Sequence, residues 1–266
     1  MTGSPVVVVA RDAEALAAET ADRLLTALVD AQAARGSASV VLTGGGVGIA
    51  TLSCLRAHPA VHAVGWPMVD VWWGDERFLP AGHPDRNETQ ARTALLDALP
   101  LDPVRVHPMG AAGEAGRDDV DDAAARYAEE LAGAAGPGRA VPVFDVLMLG
   151  MGAEGHTASI FPESPAARDQ RSVVGVHGCP KPPPTRISMG PTTLQAARDV
   201  WVIVAGEEKA AMVALALEGA GPVQVPAAGA RGSQRTMWLL DEAAASRLPQ
   251  SAAPTTIWPA VAERDG

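Results

Sequence analysis

Several features that mark particular protein classes are absent from this chain of 266 residues. It has two cysteines, Cys54 and Cys179, and neither belongs to a Cys-x-x-Cys pair or a Cys/His cluster. We therefore expect free thiols in a reducing compartment and no disulfide scaffold. No apolar run approaches the ~18 residues of a membrane span, and no signal-peptide pattern begins the sequence. These absences predict a cytoplasmic protein without a membrane partner.

Positive charge is also scarce. The chain has 21 Lys and Arg against 31 Asp and Glu, a formal net charge of −10, and no run of five or more basic residues. A nucleic-acid or anionic-membrane surface needs a basic patch, which this composition does not favour. We therefore expect no nucleic-acid partner. A small-molecule ligand and a monomer or small homo-oligomer are the expected alternatives.

Two common catalytic motifs are missing as well. No Gly-x-Ser-x-Gly elbow presents a nucleophilic serine, and neither His-Glu-x-x-His nor another metal-ligand spacing occurs. No metal site is therefore expected. Five histidines lie singly among apolar or turn residues and are expected to be structural: His58, His62, His83, His107 and His177.

Short apolar runs alternate with segments of helical periodicity along almost the whole chain. This rhythm is typical of βαβ units. It predicts an α/β fold with one doubly wound, mainly parallel sheet and helices on both faces. We expect a single domain over residues 1–248. Residues 249–266 have little periodicity and are expected to form a loosely packed C-terminal tail.

The most informative segment is the turn at residues 150–156, which follows a buried-strand pattern at residues 144–149. Three glycines within six residues, the last of them Gly155, allow a sharp turn and a close approach to a ligand. His156 ends the turn, and Glu154 precedes it by two residues. Open α/β sheets bind ligands at the carboxyl ends of their strands, which makes His156 a candidate base. The alternative is a structural histidine that bonds to the backbone.

A second glycine-rich turn separates a strand pattern at residues 39–42 from a helix: Thr43, Gly44, Gly45 and Gly46. Exposed backbone N–H groups and a helix N-terminus together favour an anion such as a phosphate monoester. No Gly-Lys-Ser/Thr follows, which excludes a Walker A loop, and the dinucleotide-binding frame is incomplete. The alternative is a tight turn without a ligand.

Charged residues occur at further strand ends. Asp75 and Arg77 follow the predicted strand Val69–Trp73, where they could contact one ligand or pair with each other. Three basic residues of later segments could join the same site: Lys181, Arg186 and Lys209. Lys209 opens a predicted helix, where a cation is unfavourable unless an anion or solvent neutralises it.

Taken in order, these segments resemble the 6-phosphogluconolactonase family, which belongs to a superfamily with glucosamine-6-phosphate deaminase/isomerase. The most specific matches are the Leu-Thr-Gly-Gly turn at residues 42–45, the Trp-Gly-Asp-Glu-Arg segment at 73–77 and the Gly-His-Thr-Ala-Ser-Ile-Phe-Pro segment at 155–162. The likeness extends from about residue 6 to about residue 240.

The resemblance implies hydrolysis of 6-phospho-D-glucono-1,5-lactone to 6-phosphogluconate, without a metal or organic cofactor. It implies that His156 is the general base, Asp75 the acidic strand-end residue and Arg77 a phosphate ligand. It also implies that basic residues near the Lys181 loop and the Lys209 helix contact substrate.

Two positions depart from the family pattern. Glu154 stands where the family usually has Asp, so its role beside the imidazole is left open. Arg86 and Asn87 stand where Ser-Asn is common, which leads us to expect an additional cation near the entrance of the site.

Two alternative functions can be weighed on the same residues. The deaminase/isomerase branch has a Glu five residues after the histidine, and Phe161 stands there in this chain. That apolar side chain cannot move protons, which argues against deamination. A sugar-phosphate-sensing module of a transcriptional regulator would need a DNA-binding segment, and the acidic chain with a strand pattern at Val6 does not favour one. A silent sensor acting through a protein partner is the remaining alternative.

Overall fold

The computed structural model describes residues 4–114, 118–252 and 256–257. Strands and helices alternate as the sequence predicts. The strands are β1 (Val6–Ala10), β2 (Ala38–Leu42), β3 (Val69–Trp73), β4 (Asp75–Arg77), β5 (Val106–His107), β6 (Phe144–Gly150), β7 (Val173–Val176), β8 (Arg186–Met189), β9 (Ala197–Val204), β10 (Arg235–Asp241) and β11 (Thr256–Ile257). The helices are α1 (Ala13–Arg35), α2 (Gly46–Ala57), α3 (Asn87–Ala94), α4 (Val120–Ala134) and α5 (Ala210–Leu217).

Within the described residues, eight strands form one sheet in the order β11-β1-β10-β9-β6-β2-β3-β5. Every paired neighbour in this sheet is parallel. The central strand β6 buries five of its seven residues because helices cover both sides of a parallel sheet. The predicted doubly wound, mainly parallel α/β fold is confirmed.

The two faces of the sheet carry separate apolar cores. Leucines of α1 and α2, such as Leu24 and Leu52, pack on one face, and Val120 of α4 and Val213 of α5 pack on the other. Helix α1 ends at Arg35, because the next residue, Gly36, has a φ of 80°, which favours glycine.

A second, smaller sheet was not predicted. Strand β8 pairs antiparallel with β4 and with β7. The sequence Arg-Ile-Ser-Met at residues 186–189 predicts the strand β8, whereas β4 and β7 are not predicted, because they have three and four residues and little alternation. The register pairs Asp75 with Ser188 and Arg77 with Arg186. The small sheet therefore holds two predicted site arginines side by side above the carboxyl edge of the large sheet.

Two smaller details concern the ends of elements. The Val-Arg-Val sequence at residues 104–106 predicts a brief strand, but this prediction is wrong, since Pro103–Arg105 form a 3-10 turn and β5 begins at Val106. In the predicted C-terminal tail, Thr256–Ile257 pair with β1, whereas residues 253–255 and 258–266 lie outside the described residues. The domain bounds and the loose packing of the tail stay predictions. No described helix is long and apolar enough to cross a membrane.

Candidate active site

A cavity of about 340 Å³ lies at the carboxyl edge of the large sheet, beneath the small sheet. Turns from separate parts of the chain converge there because parallel strands end at the same edge. Ten of the twelve predicted site residues line it: Thr43, Gly44, Gly45, Gly46, Asp75, Arg77, His156, Lys181, Arg186 and Lys209. The other two, Glu154 and Gly155, are not among the lining residues, although Glu154 contacts His156.

The His156 side chain is 17% exposed and faces this cavity. Phe161 stacks on the ring, with centroids 4.5 Å apart and planes inclined by 21°. Burial lowers the pKa of His156, and the charge of Glu154 only partly offsets that effect. The ring is therefore neutral near neutral pH and can accept a proton.

The two ring nitrogens of His156 have different surroundings. Nδ1 is buried and lies 3.0 Å from Oε1 of Glu154, although the contact lacks the alignment of a hydrogen bond. This leaves Nε2 as the nitrogen that can reach water in the cavity. The longer Glu154 side chain therefore still brings its carboxylate against the imidazole.

Glu154 also contacts Lys181, whose Nζ donates a hydrogen bond of 2.8 Å to Oε2. Burial raises the pKa of Glu154, but the hydrogen bond from Lys181 and the charge of His156 outweigh it and lower the pKa. Lys181, Glu154 and His156 thus form a chain of contacts in which the central carboxylate is ionised.

The glycine turn leaves space for this arrangement. A Cβ on Gly152 would lie 2.1 Å from Nδ1 of His156 and 2.7 Å from Oε2 of Glu154. Gly155 has a φ of 89°, and a Cβ there would lie 2.8 Å from Val225. The N–H groups of Gly152 and Gly155 donate to the carbonyls of His156 and Gly152. These two glycines therefore shape the turn, and their N–H groups are not free to bind a ligand.

Asp75 is buried, with 7% of its surface exposed. Its Oδ2 accepts a hydrogen bond of 2.7 Å from Oγ of Ser159, and Asn87 donates from Nδ2 to the Asp75 carbonyl at 2.9 Å. Asn87 also packs against Gly44, where a Cβ would lie 2.0 Å from Oδ1. Asn87 thus joins Asp75 to the second glycine turn. This role of Asn87 is not predicted from the sequence, because only the fold brings residues 44, 75 and 87 together.

The second glycine turn ends at the N-terminus of α2. Gly45 has a φ of 83°, and no side chain caps the helix. The first N–H groups of α2 therefore face the cavity with the positive end of the helix dipole. This turn contacts the turn at residues 150–156, because Gly150 donates its N–H to Oγ1 of Thr43 at 3.1 Å.

Three further cations line the cavity and differ in their hydrogen-bond partners. Arg186 is 8% exposed and donates to the carbonyls of Pro183 and Lys181 at 3.1 Å. Arg77 donates from Nη1 to the Asp85 carbonyl at 2.7 Å. For Lys209, no hydrogen bond or ion pair joins its ammonium group to another residue among those described. The cavity is thus locally cationic in a chain of net charge −10.

Arg86 corrects one expectation. It does not add a cation near the entrance, because it is 1% exposed and donates to the carbonyl of Met109 at 2.7 Å. It lies 3.6 Å from Glu76, whose carboxylate accepts the N–H groups of Arg77 and Asn87. Burial raises the pKa of Glu76 to about 7, and the charge of Arg86 only partly offsets this. The Arg86–Glu76 pair therefore supports the backbone of two site residues.

The described part of the chain contains no group of three or more His, Cys, Asp or Glu side chains that could hold a metal ion. The cavity instead offers one neutral imidazole, two carboxylates close to it in the structure, and donors suited to an anion. This combination fits proton transfer on a small phosphorylated ligand.

Comparisons with known proteins agree with this geometry. The family model of glucosamine-6-phosphate isomerases/6-phosphogluconolactonase matches residues 11–238. The chain is 58% identical over 257 residues to a 6-phosphogluconolactonase of Streptomyces coelicolor, covering 96% of this chain and 98% of that protein. It is 48% identical over 239 residues to the 6-phosphogluconolactonase of Mycobacterium tuberculosis, covering 90% and 96%. The solved 6-phosphogluconolactonase of Trypanosoma brucei superposes with a TM-score of 0.78 at 29% identity, covering 92% and 99%.

Proposed function

The chain belongs to the family of glucosamine-6-phosphate isomerases and 6-phosphogluconolactonases, and on this premise we propose that it hydrolyses 6-phospho-D-glucono-1,5-lactone with His156 as general base. The observation that carries the proposal is a single cavity in which neutral His156 faces an uncapped helix N-terminus and unneutralised cations. The first element activates water, and the second holds a phosphate.

The reaction needs one group that first accepts and then returns a proton. Nε2 of His156 takes a proton from water as the oxygen attacks the lactone carbonyl carbon, a role typically worth ~10²–10⁴-fold. The tetrahedral intermediate then collapses, the bond to the ring oxygen breaks, and the imidazolium returns the proton to that oxygen. Glu154 supports this cycle because its charge stabilises the imidazolium 3.0 Å away.

The developing oxyanion needs hydrogen-bond donors. The N–H groups of Gly152 and Gly155 already donate to the backbone. Other donors that line the cavity include the N–H groups of the 44–46 turn and the side-chain cations. We assign the oxyanion and the phosphate to different members of this set.

The phosphate is assigned to the N-terminus of α2 together with Arg77, Arg186 and Lys209. The ammonium group of Lys209 has no hydrogen-bond or ion-pair partner among the described residues, and helix N–H groups with a nearby cation are a common anion site. Lys181 is assigned instead to Glu154, since its ammonium group already donates to that carboxylate at 2.8 Å. Asp75, held by Ser159 and Asn87, is assigned to a sugar hydroxyl.

Phe161 supports hydrolysis over deamination. It occupies the position where the deaminase branch needs a proton-transferring Glu, and it stacks on the His156 ring. A catalytically silent sensor has no such need for a base held neutral by burial. The monomer or small homo-oligomer, the absence of a nucleic-acid partner and the cytoplasmic location remain proposals of the same kind.

The test is direct hydrolysis of substrate. Lactone is generated in situ, purified protein is added, and acid release is followed above the spontaneous rate. In parallel, an ammonia-coupled assay is run on glucosamine 6-phosphate. We expect fast lactone hydrolysis and no ammonia. Robust deamination with negligible lactone hydrolysis would transfer the chain to the isomerase branch, and neither activity would favour the sensor.

A further inference from the structure

A second cavity, of about 400 Å³, lies at the opposite edge of the large sheet, where the strands begin. The strand registers place Ser39, Asp70, Asp145 and Arg198 side by side on four neighbouring strands. Residues in one cross-strand row point to the same side of a sheet. Here they point toward the end of α4 and the loop that follows it, which close the cavity.

The carboxylate of Asp145 is already satisfied within the protein. It accepts a hydrogen bond of 2.6 Å from Nη2 of Arg35 and one of 2.9 Å from the backbone N–H of Ser39. Nε of Arg198 lies 3.4 Å away. Two guanidinium groups therefore share one carboxylate, which leaves positive charge in excess on this side of the cavity.

The carboxylate of Asp70 is likewise occupied. Nη1 of Arg105 donates to it at 2.7 Å, and Nε2 of His107 lies 3.5 Å from it. His107 is also paired through Nδ1 with Glu130 at 2.6 Å and stacks on Trp72 at 3.7 Å. The ring is thus fixed at the cavity wall, and neither acidic residue of the row is free to repel an anion.

Donors in the cavity remain unused. Oγ of Ser39 is buried and forms no hydrogen bond, and Nε of Arg198 and Nε2 of His107 are buried beside carboxylates at 3.4 and 3.5 Å without forming one. Arg139 lies on the covering loop, and its guanidinium group forms no hydrogen bond or ion pair with another described residue. Buried polar groups without a hydrogen bond are costly, so an acceptor in this space would stabilise Ser39 and Arg198 together with Arg139.

We propose that this cavity is a second ligand site, which binds the oxyanion group of a small metabolite, either a carboxylate or a phosphate. Ser39 and Arg198 form its floor, and Arg139 closes on the anion from the loop. Four arginines surround three carboxylates here, namely Arg35, Arg105, Arg139 and Arg198 around Asp70, Glu130 and Asp145. This local excess of positive charge occurs in a chain whose net charge is −10.

Calorimetric titration tests the proposal. Orthophosphate is the first probe and gluconate, an unphosphorylated carboxylate, is the second. Because orthophosphate should also enter the active-site cavity, the protein used carries Arg77→Ala and Lys209→Ala. We expect saturable binding of at least one probe, weakened at least about tenfold by adding Arg139→Ala and several-fold by adding Ser39→Ala.

Arg11→Ala is the matched control, since Arg11 is 69% exposed and does not line the cavity. It should leave binding unchanged. Arg139→Ala in the otherwise wild-type chain should keep full lactone hydrolysis and thermal stability, which separates a loss of binding from a loss of fold. Binding of orthophosphate alone identifies a phosphate site, and binding of gluconate alone identifies a carboxylate site. The proposal is overturned if neither probe binds, or if Arg139→Ala and Ser39→Ala leave the affinity unchanged.

Discussion

The large sheet has an amino edge, where its parallel strands begin, and a carboxyl edge, where they end. Both edges carry charged residues, but these residues differ in how they are paired. At the amino edge, the carboxylates of Asp70 and Asp145 are neutralised by arginines in the same cross-strand row or beside it. At the carboxyl edge, Lys181 pairs with Glu154, whereas Lys209 has no anionic partner among the described residues. The carboxyl edge therefore keeps cations without ion pairs for a substrate, whereas at the amino edge most arginines pair with carboxylates and Arg139 does not.

The histidines show the same contrast. His156 lies in a cavity and is kept neutral, because burial lowers its pKa more than Glu154 raises it. For His107, burial also lowers the pKa, but the close carboxylates of Asp70 and Glu130 outweigh this and raise it. Burial therefore lowers the pKa of both rings, and the net direction differs because the charge of Lys181 opposes that of Glu154 beside His156. The following predictions test this difference between the edges.

The largest effect is expected for His156, the proposed general base. His156→Ala should keep the fold and lower kcat by at least about 10²-fold, the low end for loss of a general base. The matched change, His62→Ala, removes an exposed histidine outside both cavities and should leave kcat unchanged. Steady-state hydrolysis of the lactone measures both. If His156→Ala stays within a few-fold of wild type, the base is another group.

Two glycine-to-alanine substitutions, one at each edge, test how much space the glycines leave for neighbouring side chains. In Gly152→Ala the new Cβ would overlap Nδ1 of His156, which must turn away, so we expect kcat to fall about 10- to 100-fold. In Gly136→Ala, on the loop over the amino-edge cavity, nothing lies within 4 Å of the new Cβ. That variant should keep full activity and stability. Equal behaviour of the two variants in kinetic and thermal-melt measurements would contradict the assigned role of Gly152.

Binding of the substrate's phosphate group should depend on the cations at the carboxyl edge. Arg77→Ala removes a charged donor and should raise KM for the phosphorylated lactone about tenfold or more, with a smaller change in kcat. Unphosphorylated gluconolactone should be a poor substrate that the change hardly affects. Arg105→Ala at the amino edge is the counterpart and should alter neither KM. A similar loss on both substrates in Arg77→Ala would assign Arg77 to the reacting centre or the fold.

The pH profile of kcat/KM should shift in opposite directions when Glu154 or Lys181, the two charged residues near His156, is replaced. In wild type, kcat/KM falls as the pH drops through the lowered pKa of His156, since only the neutral ring accepts a proton. Glu154 raises that pKa, so Glu154→Gln should move the acid limb to lower pH. Lys181 lowers it, so Lys181→Met should move the limb to higher pH.

Glu163→Gln serves as the control for this profile, because the Glu163 carboxylate is 64% exposed and pairs with Arg168. Its acid limb should coincide with that of wild type after spontaneous hydrolysis is subtracted. Shifts of the same sign in Glu154→Gln and Lys181→Met would be inconsistent with the contact chain described above.

The smallest effect is expected in stability. The pKa of His107 is raised, so its stabilisation is complete below its unfolded pKa and is lost as the pH rises through the folded value. The pKa of His156 is lowered, so folding carries a cost in acid that disappears as the pH rises to the unfolded value. Accordingly, His107→Gln should reduce the free energy of unfolding more in acid than in base.

His156→Gln should do the reverse and be relatively more favourable in acid. Urea unfolding of both variants on either side of the ordinary histidine pKa of about 6.5 measures the difference. The same pH dependence in both variants would show that the two edges do not treat their histidines differently.

Much of the fold could be predicted from local patterns. The buried-strand pattern at residues 144–149 is a local feature, and β6 forms there. The small sheet was missed because its strands are short and because β4 pairs with residues more than a hundred positions away, as for Asp75 and Ser188. Local periodicity contains no information on such partners.

The sequence by itself determined which residues meet at the carboxyl edge. Parallel strands end together, so the strand ends that carry Thr43, Asp75 and His156 had to converge. The tertiary structure alone decided which charges are free, because that depends on neighbours far apart in the chain. It buried Arg86 against Glu76, directed Lys181 to Glu154, and stacked Phe161 on His156. It also aligned the charged row of the amino edge, since neighbours in a crossover sheet are set by strand order and register.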